Sequence, residues 1–490
     1  MEFILIIIGI VVANWVYKGV KSFLFGNDKK ANSVYNNKPN EKIEVLARHG
    51  IGQRRQSQKY LELEKPDIEI VGETKEVLDR LENSKDNIFL TGKAGTGKST
   101  LLRYFRATTD KNVVVVAPTG VAAINVQGQT IHSFFKFGIA ITEDKVKKIY
   151  GQKGEIYKKI DTLVIDEISM VRADIFDCID KFLRLNGPNP NLPFGGIQIV
   201  VIGDLYQLPP VVKSEERYIF EQHYKSPFFF DAKSYERANF KFIELQNVHR
   251  QKDEEFIKIL DQIRIGAVVD ENLEIINNQL SSDGFRPGNF NVALVPTNAM
   301  AEQINTAALS EIDSKESVYT GYIIGEFKEN ELPTSLELVL KEGAQIMLLN
   351  NDPNNKWVNG DLAKILKLNS ASVRVIFEDN TFEDVAAYKW DKVRFVFDES
   401  RKKIVLEITG SFTQLPIKLA WAITIHKSQG KSYNKVVIDF GSGTFAAGQA
   451  YVALSRCRSL EGLSLSTKVE KDHIFVDERV KEFVNNIYTK

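Results

Sequence analysis

The nine residues at 92–100, GKAGTGKST, constrain this chain more than any other stretch. They fit G-x-x-x-x-G-K-[ST], in which successive backbone N–H groups wrap phosphate oxygens, a lysine reaches the terminal phosphates and a hydroxyl serves Mg²⁺. Lys98 is that lysine and Ser99 that hydroxyl, while Gly92, Ala94, Gly95, Thr96, Gly97 and Thr100 supply the cradle. The apolar run at 87–91 reads as a buried strand and 101–105 has helical composition, giving strand, loop, helix. The helix N-terminus adds its dipole to the phosphate site. A nucleotide triphosphatase using ATP and Mg²⁺ is the implied starting point.

Two later stretches supply the carboxylates and the polar side chain that such chemistry needs. Residues 161–170, DTLVIDEISM, form a buried strand delivering Asp166 and Glu167 to its end. Asp166 is placed to hold Mg²⁺ with Ser99, and Glu167 to orient and deprotonate the attacking water. Burying two adjacent anions without a cation is costly. Residues 195–211, GGIQIVVIGDLYQLPPV, give another strand and then Gln207 before two prolines, positioned to sense the γ-phosphate or its water. Arg250 stands at the entry of an amphipathic helix in 245–266. In 449–459, QAYVALSRCRS, Arg456 and Arg458 cannot share a helix face, and Arg456 is expected to point into a cleft.

From residue 67 strands and helices alternate, the signature of parallel sheets covered on both faces. Between about 335 and 416 the pattern changes to short β-rich runs, 393–396 and 404–408 among them, which read as a small barrel-like insertion. Residues 142–160 are Lys-rich and read as a polar surface insertion. Pro118 and Thr119 follow the buried strand at 112–117, where open α/β sheets present ligands. In QTIHSFFKFG at 129–138, His132 and Ser133 suit phosphate, while Phe134 and Phe135 either stack bases or belong to the core. Thr297 and Asn298 occupy another strand-to-helix turn, and His426 lies in AWAITIHKSQG as a core histidine or a phosphate contact.

Composition bounds the partners. Lys+Arg and Asp+Glu are both 64 in 490 residues, so no global basic field draws in nucleic acid and any such site is local. Two cysteines, Cys178 and Cys457, exclude a disulfide framework and a cysteine-rich zinc site, and read as small buried apolar residues. The run at 3–17, FILIIIGIVVANWVY, spans a membrane only if it continues to Phe25 with Lys18 and Lys21 at the interface; otherwise it is a helix docked on protein. Lysines after it place the remainder in the cytoplasm, tethered to the inner face if the run spans. Residues 27–66 read as a linker.

Taken together, GKAGTGKST, APTGVAA with TIHSFF, VIDEISM, GDLYQLPP, VHRQKDEEF, WAITIHKSQG and YVALSRCRS stand in the order of the helicase motifs of the Pif family, the RecD-related branch of superfamily one. Residues 176–184, FDCIDKFLR, loosely resemble its signature segment. No glutamine occurs between Gln58 and Gln127, where that family places one to read adenine.

The resemblance implies an α/β fold of two RecA-like domains, 67–243 and 244–334 with 417–490. An SH3-like β insertion at 335–416 and a strand-separating wedge at about 139–160 would be added to them, with the apolar N-terminal helix at 1–26. It implies movement 5′ to 3′ on single-stranded and forked DNA in repair, recombination or telomere maintenance, and the acting form is expected to be a monomer. Arg250 and Arg456 would stabilise transition-state charge, and Pro118, Thr119, His132, Phe134, Asn298, Thr424 and His426 would line the strand. A DNA-dependent ATPase that does not unwind, and a membrane-tethered ATPase acting on proteins, are the rival expectations.

Overall fold

The computed structural model describes residues 59–489 apart from 139, 249, 252, 282–287, 289 and 442. The N-terminal apolar run lies outside them. Among the described residues no helix is long and apolar enough to cross a membrane.

The fold is mixed α/β with two parallel sheets. The first has six strands in the order Gln129–Thr130, Val113–Ala117, Thr162–Ile165, Gln198–Ile202, Ile88–Gly92, Lys241–Leu245, all parallel. Its central strands Thr162–Ile165, Gln198–Ile202 and Ile88–Gly92 are buried throughout and mostly apolar because both faces are covered. Phe89, Leu163, Ile165, Ile199 and Val201 enter a core with the helix Ala173–Asn186. Their alternate neighbours Ile88, Leu90, Val164, Val200 and Ile202 meet the helices Gly72–Asn83 and Lys98–Thr108. The second sheet runs Ala422–Thr424, Val292–Val295, Val436–Ile438, Leu463–Leu465, again parallel. The helix Glu254–Ile265, capped by Asp253, buries Phe256, Ile259, Leu260 and Ile263 against it.

Between the neighbouring strands Val292–Val295 and Ala422–Thr424 of this second sheet the chain leaves to build antiparallel β structure. Five strands pair in the order Phe382–Ala386, Ser372–Phe377, Leu362–Leu368, Gln345–Leu348, Ile417–Leu419. The insertion is wider than the expected 335–416. Ser317–Thr320 already pairs with Glu337–Leu340, and the last strand ends at Leu419. Four residues flanked by polar ones carry too little alternation to be read as a strand.

A larger difference concerns 393–396 and 404–408, which are the middle of one long hairpin, Tyr388–Asp398 with Lys403–Gln414. Val393, Phe395 and Leu406 on it enter the core of the first lobe. The Phe395 amide donates to Gln129 Oε1 at 3.0 Å and that of Ile404 to Asn112 Oδ1 at 2.8 Å.

Two other expectations need correction. Segment 142–160 is not a detached polar loop: Val146, Tyr157 and Ile160 are core residues, and the Ile149 amide donates to Asn186 Oδ1 at 2.6 Å. Its lysines face water and mask these apolar anchors, which are spaced too widely to show a period. The C-terminal helix Glu478–Tyr488, expected with the second lobe, packs on the first. There Val480 is 1% exposed, the Phe483 ring stacks on Phe230 at 4.0 Å, and Arg479 Nε donates to Asp231 Oδ2 at 2.8 Å.

Candidate nucleotide cleft and nucleic-acid face

The strand Ile88–Gly92 lies inside the first sheet, so the loop after it opens at the sheet's carboxyl edge. Gly95 has φ 87°, and a Cβ there would sit 2.4 Å from Arg250 Cβ, so only glycine lets the two lobes approach at this point. Lys98 Nζ donates to the Gly92 and Lys93 carbonyls at 2.6 and 3.0 Å, which folds the ammonium over the loop. Burial holds its pKa below the ordinary lysine range. Two contacts from the second lobe hold the same loop. Ala94 N–H donates to Tyr451 Oη at 2.9 Å, and Lys93 Nζ pairs with Asp261 at 2.6 Å.

Asp166 and Glu167 follow the next-but-one strand into this cleft, which encloses about 930 Å³. Burial, and then the charge of Glu167, push the Asp166 carboxyl up to about 7. Burial also raises Glu167, against the pull of Lys98. Glu167 is a non-glycine residue at φ 51°, a backbone strain of the kind concentrated at functional sites.

Gln207 is buried in the same wall and donates to Asp204 Oδ2 at 3.3 Å. Gln429, from the second lobe, donates to Glu167 Oε2 at 3.2 Å and to Gln207 Oε1 at 3.0 Å. Asp204 is in turn paired with Arg264 at 3.0 Å, and Arg264 also meets Glu244 at 3.3 Å and lies 4.5 Å above the Tyr206 ring. A chain of polar contacts thus crosses between the lobes from Arg264 through Asp204, Gln207 and Gln429 to Glu167.

Sequence reasoning missed Asp204, Arg264, Gln429 and Tyr451 as members of this site. Asp204 and Gln429 stand inside motifs quoted above, so proximity to Gln207 and His426 was a usable signal. Nothing local distinguishes Arg264 from a solvated helix arginine.

Arg250 and Arg456 border the cleft from the second lobe. Arg250 reaches the Ser455 and Gly430 carbonyls at 3.5 and 3.4 Å, and burial lowers its pKa to about 9. Arg456 is 1% exposed. It donates to Val452 O at 2.9 Å, Lys431 O at 3.2 Å and Ser455 Oγ at 2.8 Å, all in its own lobe. Arg458 borders the cleft too, contrary to expectation. The helix Gln449–Leu454 ends before these arginines, so helical spacing does not separate them.

Residues 70–274 match the family model described as PIF1-like helicase. The ATP-dependent DNA helicase Pif1 of Bdellovibrio bacteriovorus is 33% identical over 429 residues, spanning 85% of this chain and 92% of that protein. The chain belongs to the PIF1-like helicase family. It is also 31% identical over 476 residues to PIF1 of Emericella nidulans, covering 84% of this chain but 62% of that longer protein.

Among solved structures, Bacteroides Pif1 in complex with ADP-AlF4 is 36% identical and covers 86% of this chain and 98% of its own, with a TM-score of 0.81. Bacteroides Pif1 bound to ssDNA, at the same identity and 86% and 97% coverage, gives 0.62. This PIF1-like chain therefore superposes better, as a whole, on the former. A further solved structure is described as two coordinating Pif1 helicases at forked dsDNA, so the family resemblance lends no support to a lone acting copy.

The residues expected to line a strand in this PIF1-like helicase divide into two groups. Thr119 and Asn298 are exposed, and Pro118, His132 and His426 half-buried, all at carboxyl ends of parallel strands or just beyond. Thr119 Oγ1 accepts from Ala122 N–H at 3.2 Å, an N-cap that fixes its turn. Phe134 and Thr424 turn inward. Phe134 is 5% exposed, with ring contacts to Phe135, Tyr157 and Phe395 at 5.0, 5.3 and 5.8 Å. Thr424 is 4% exposed and accepts from Lys427 N–H at 3.3 Å. Neither side chain offers a surface to a base. Cys178 and Cys457 are both buried, as expected of apolar residues.

Proposed function

We propose that this chain couples ATP hydrolysis to 5′-to-3′ movement along single-stranded DNA and so unwinds duplex or structured DNA. The observation that carries the reading is the cleft itself. The phosphate loop and carboxylates of one lobe face Arg250 and Arg456 of the other across a single opening. A triphosphate held there would draw the lobes together, and loss of its γ-phosphate would release them. Membership in a family whose relatives are named ATP-dependent DNA helicases supports the same conclusion.

In this proposal Lys98 and the loop amides bind phosphates, Gln207 contacts the γ-phosphate, and Glu167 orients and deprotonates water. Arg250 and Arg456 leave their carbonyl partners to stabilise transition-state charge. The buried Asp166, offset only by the Glu167 backbone amide and then by Lys98, fits a divalent cation. Asp166 and Ser99 would hold Mg²⁺, which would neutralise charge on the phosphates.

The two parallel sheets would be the RecA-like motor domains, the five-stranded antiparallel sheet the SH3-like module, and segment 142–160, with Tyr150 81% exposed, the separating wedge. Pro118, Thr119, His132, Asn298 and His426 would touch the strand. The apolar run at 3–25 stays a proposed anchor or docking helix, for which removal and membrane fractionation is the test.

The decisive experiment measures ATPase with and without single-stranded DNA, and then strand release from a fluorescent forked duplex. Strong stimulation with release is expected. Stimulation without release makes the chain a translocase, and no stimulation sinks the DNA reading.

A further inference from the structure

Three neighbouring strands of the second sheet, Ala422–Thr424, Val292–Val295 and Val436–Ile438, open their carboxyl ends side by side. The outer two loops carry His426 and Phe445, and the middle one Thr297 and Asn298. Phe445 is 62% exposed, and what sets it apart from a singly exposed apolar residue is the ring beside it. Its ring lies parallel to that of His426, with centroids 6.3 Å apart and planes 13° from each other.

The loop does not simply fray. The Phe445 amide donates to Gln449 Oε1 at 3.0 Å, and Thr444 Oγ1 donates to the His473 carbonyl at 2.9 Å. Gly448 has φ 73° and packs so tightly that a Cβ would lie 2.3 Å from the Tyr206 carbonyl oxygen. A ring exposed on an anchored loop is presented rather than left over. Nucleic-acid bases stack on such faces whatever their sequence.

We propose that Phe445, paired with His426, is the stacking platform for one nucleobase of the single strand. The proposal rests on the DNA reading above and adds a contact that reads a base face where the others read the backbone. It also supplies a route to the cleft. Gln449, which holds the Phe445 amide, opens the helix that ends just before Arg456, and Gly448 abuts the backbone of Tyr206 and Gln207.

Equilibrium binding of 2-aminopurine-labelled single strands to the whole protein tests this, comparing wild type with Phe445→Leu and Phe445→Trp across a salt series. A single labelled position should be quenched by the wild type. Phe445→Leu should bind roughly 5- to 100-fold more weakly and lose that quenching, because base–aromatic stacking accounts for about that factor. Phe445→Trp should restore both.

The slope of log affinity against log salt should not change, since no phosphate contact is removed. Equal affinity and quenching in Phe445→Leu, or a changed salt slope, overturns the platform. A wild type that binds no strand overturns the DNA reading and the platform with it. Thermal unfolding of each variant separates these outcomes from misfolding.

Discussion

The nucleotide cleft and the strand face differ in how sequence specifies them. At the cleft, function depends on backbone: glycine torsions, amide directions and carboxylates at strand ends, all written in contiguous motifs. Every residue expected there borders or lies beside one opening. At the strand face, function depends on which way single side chains turn, and that is decided by packing between distant segments. Phe134 is directed inward partly by Phe395, from a hairpin more than two hundred residues later.

The largest effect should come from the cleft. Arg456→Ala is expected to lower DNA-stimulated ATPase by about 10³ to 10⁵, as for charge-stabilising arginines elsewhere. Binding of a fluorescent ATP analogue should persist. The comparison breaks if turnover is retained, because Arg456 would then be only the hub of carbonyl contacts that it forms within its own lobe.

Arg264→Met sharpens the same contrast, since this residue belongs to the cleft without touching it. The substitution leaves Asp204 and Glu244 without their buried partner, a loss of about 3–5 kcal/mol where such pairs are broken. Chemical denaturation should show that loss. Relaxed positioning of Gln207 and Glu167 should also lower kcat while KM for ATP changes little. A fall in stability alone, with kcat intact in the folded enzyme, would make Arg264 a simple interlobe tie.

Phe134→Ala tests the other region. As a core ring it should cost about 3–5 kcal/mol in stability. Strand affinity of the folded protein, measured by anisotropy, should be close to wild type. The opposite pattern would return Phe134 to the strand face.

Much of the fold was legible because parallel strands buried on both faces are apolar runs that need no partner to be recognised. The five strands 88–92, 113–117, 162–165, 198–202 and 292–295 all lie in stretches that read as strands. The length of the long hairpin and its docking on the first lobe were not legible. Its outward residues Lys389, Asp391, Lys392 and Arg394 break the apolar pattern, and its inward ones are explained only by the first lobe. The C-terminal helix was assigned to the wrong lobe for a related reason. Sequence shows that it has an apolar face but not which surface Phe483 and Val480 will meet. Asp204 stood inside a legible motif, but its partner Arg264 needed three dimensions, since an ion pair between residues on different lobes leaves no local mark.

The smallest expected effect concerns protons. Asp166 has its pKa raised in the fold to about 7, mainly by burial and then by Glu167, while its ordinary value is 3.8. A carboxyl raised in the folded state is protonated there when it is ionised in the unfolded chain. The fold therefore loses stability as pH climbs from the ordinary carboxylate range to about 7. Activity runs the other way if the ionised form binds the cation. At limiting Mg²⁺, kcat/KM for ATP should fall as pH drops through about 7, approaching tenfold per unit. Excess Mg²⁺ competes with the proton and should move this acid limb to lower pH, whereas Asp166→Asn should abolish both the limb and its Mg²⁺ dependence. A limb that stays in place at every Mg²⁺ concentration would assign the titration to Glu167, whose pKa burial also raises, and would separate the two carboxylates that their shared environment now joins.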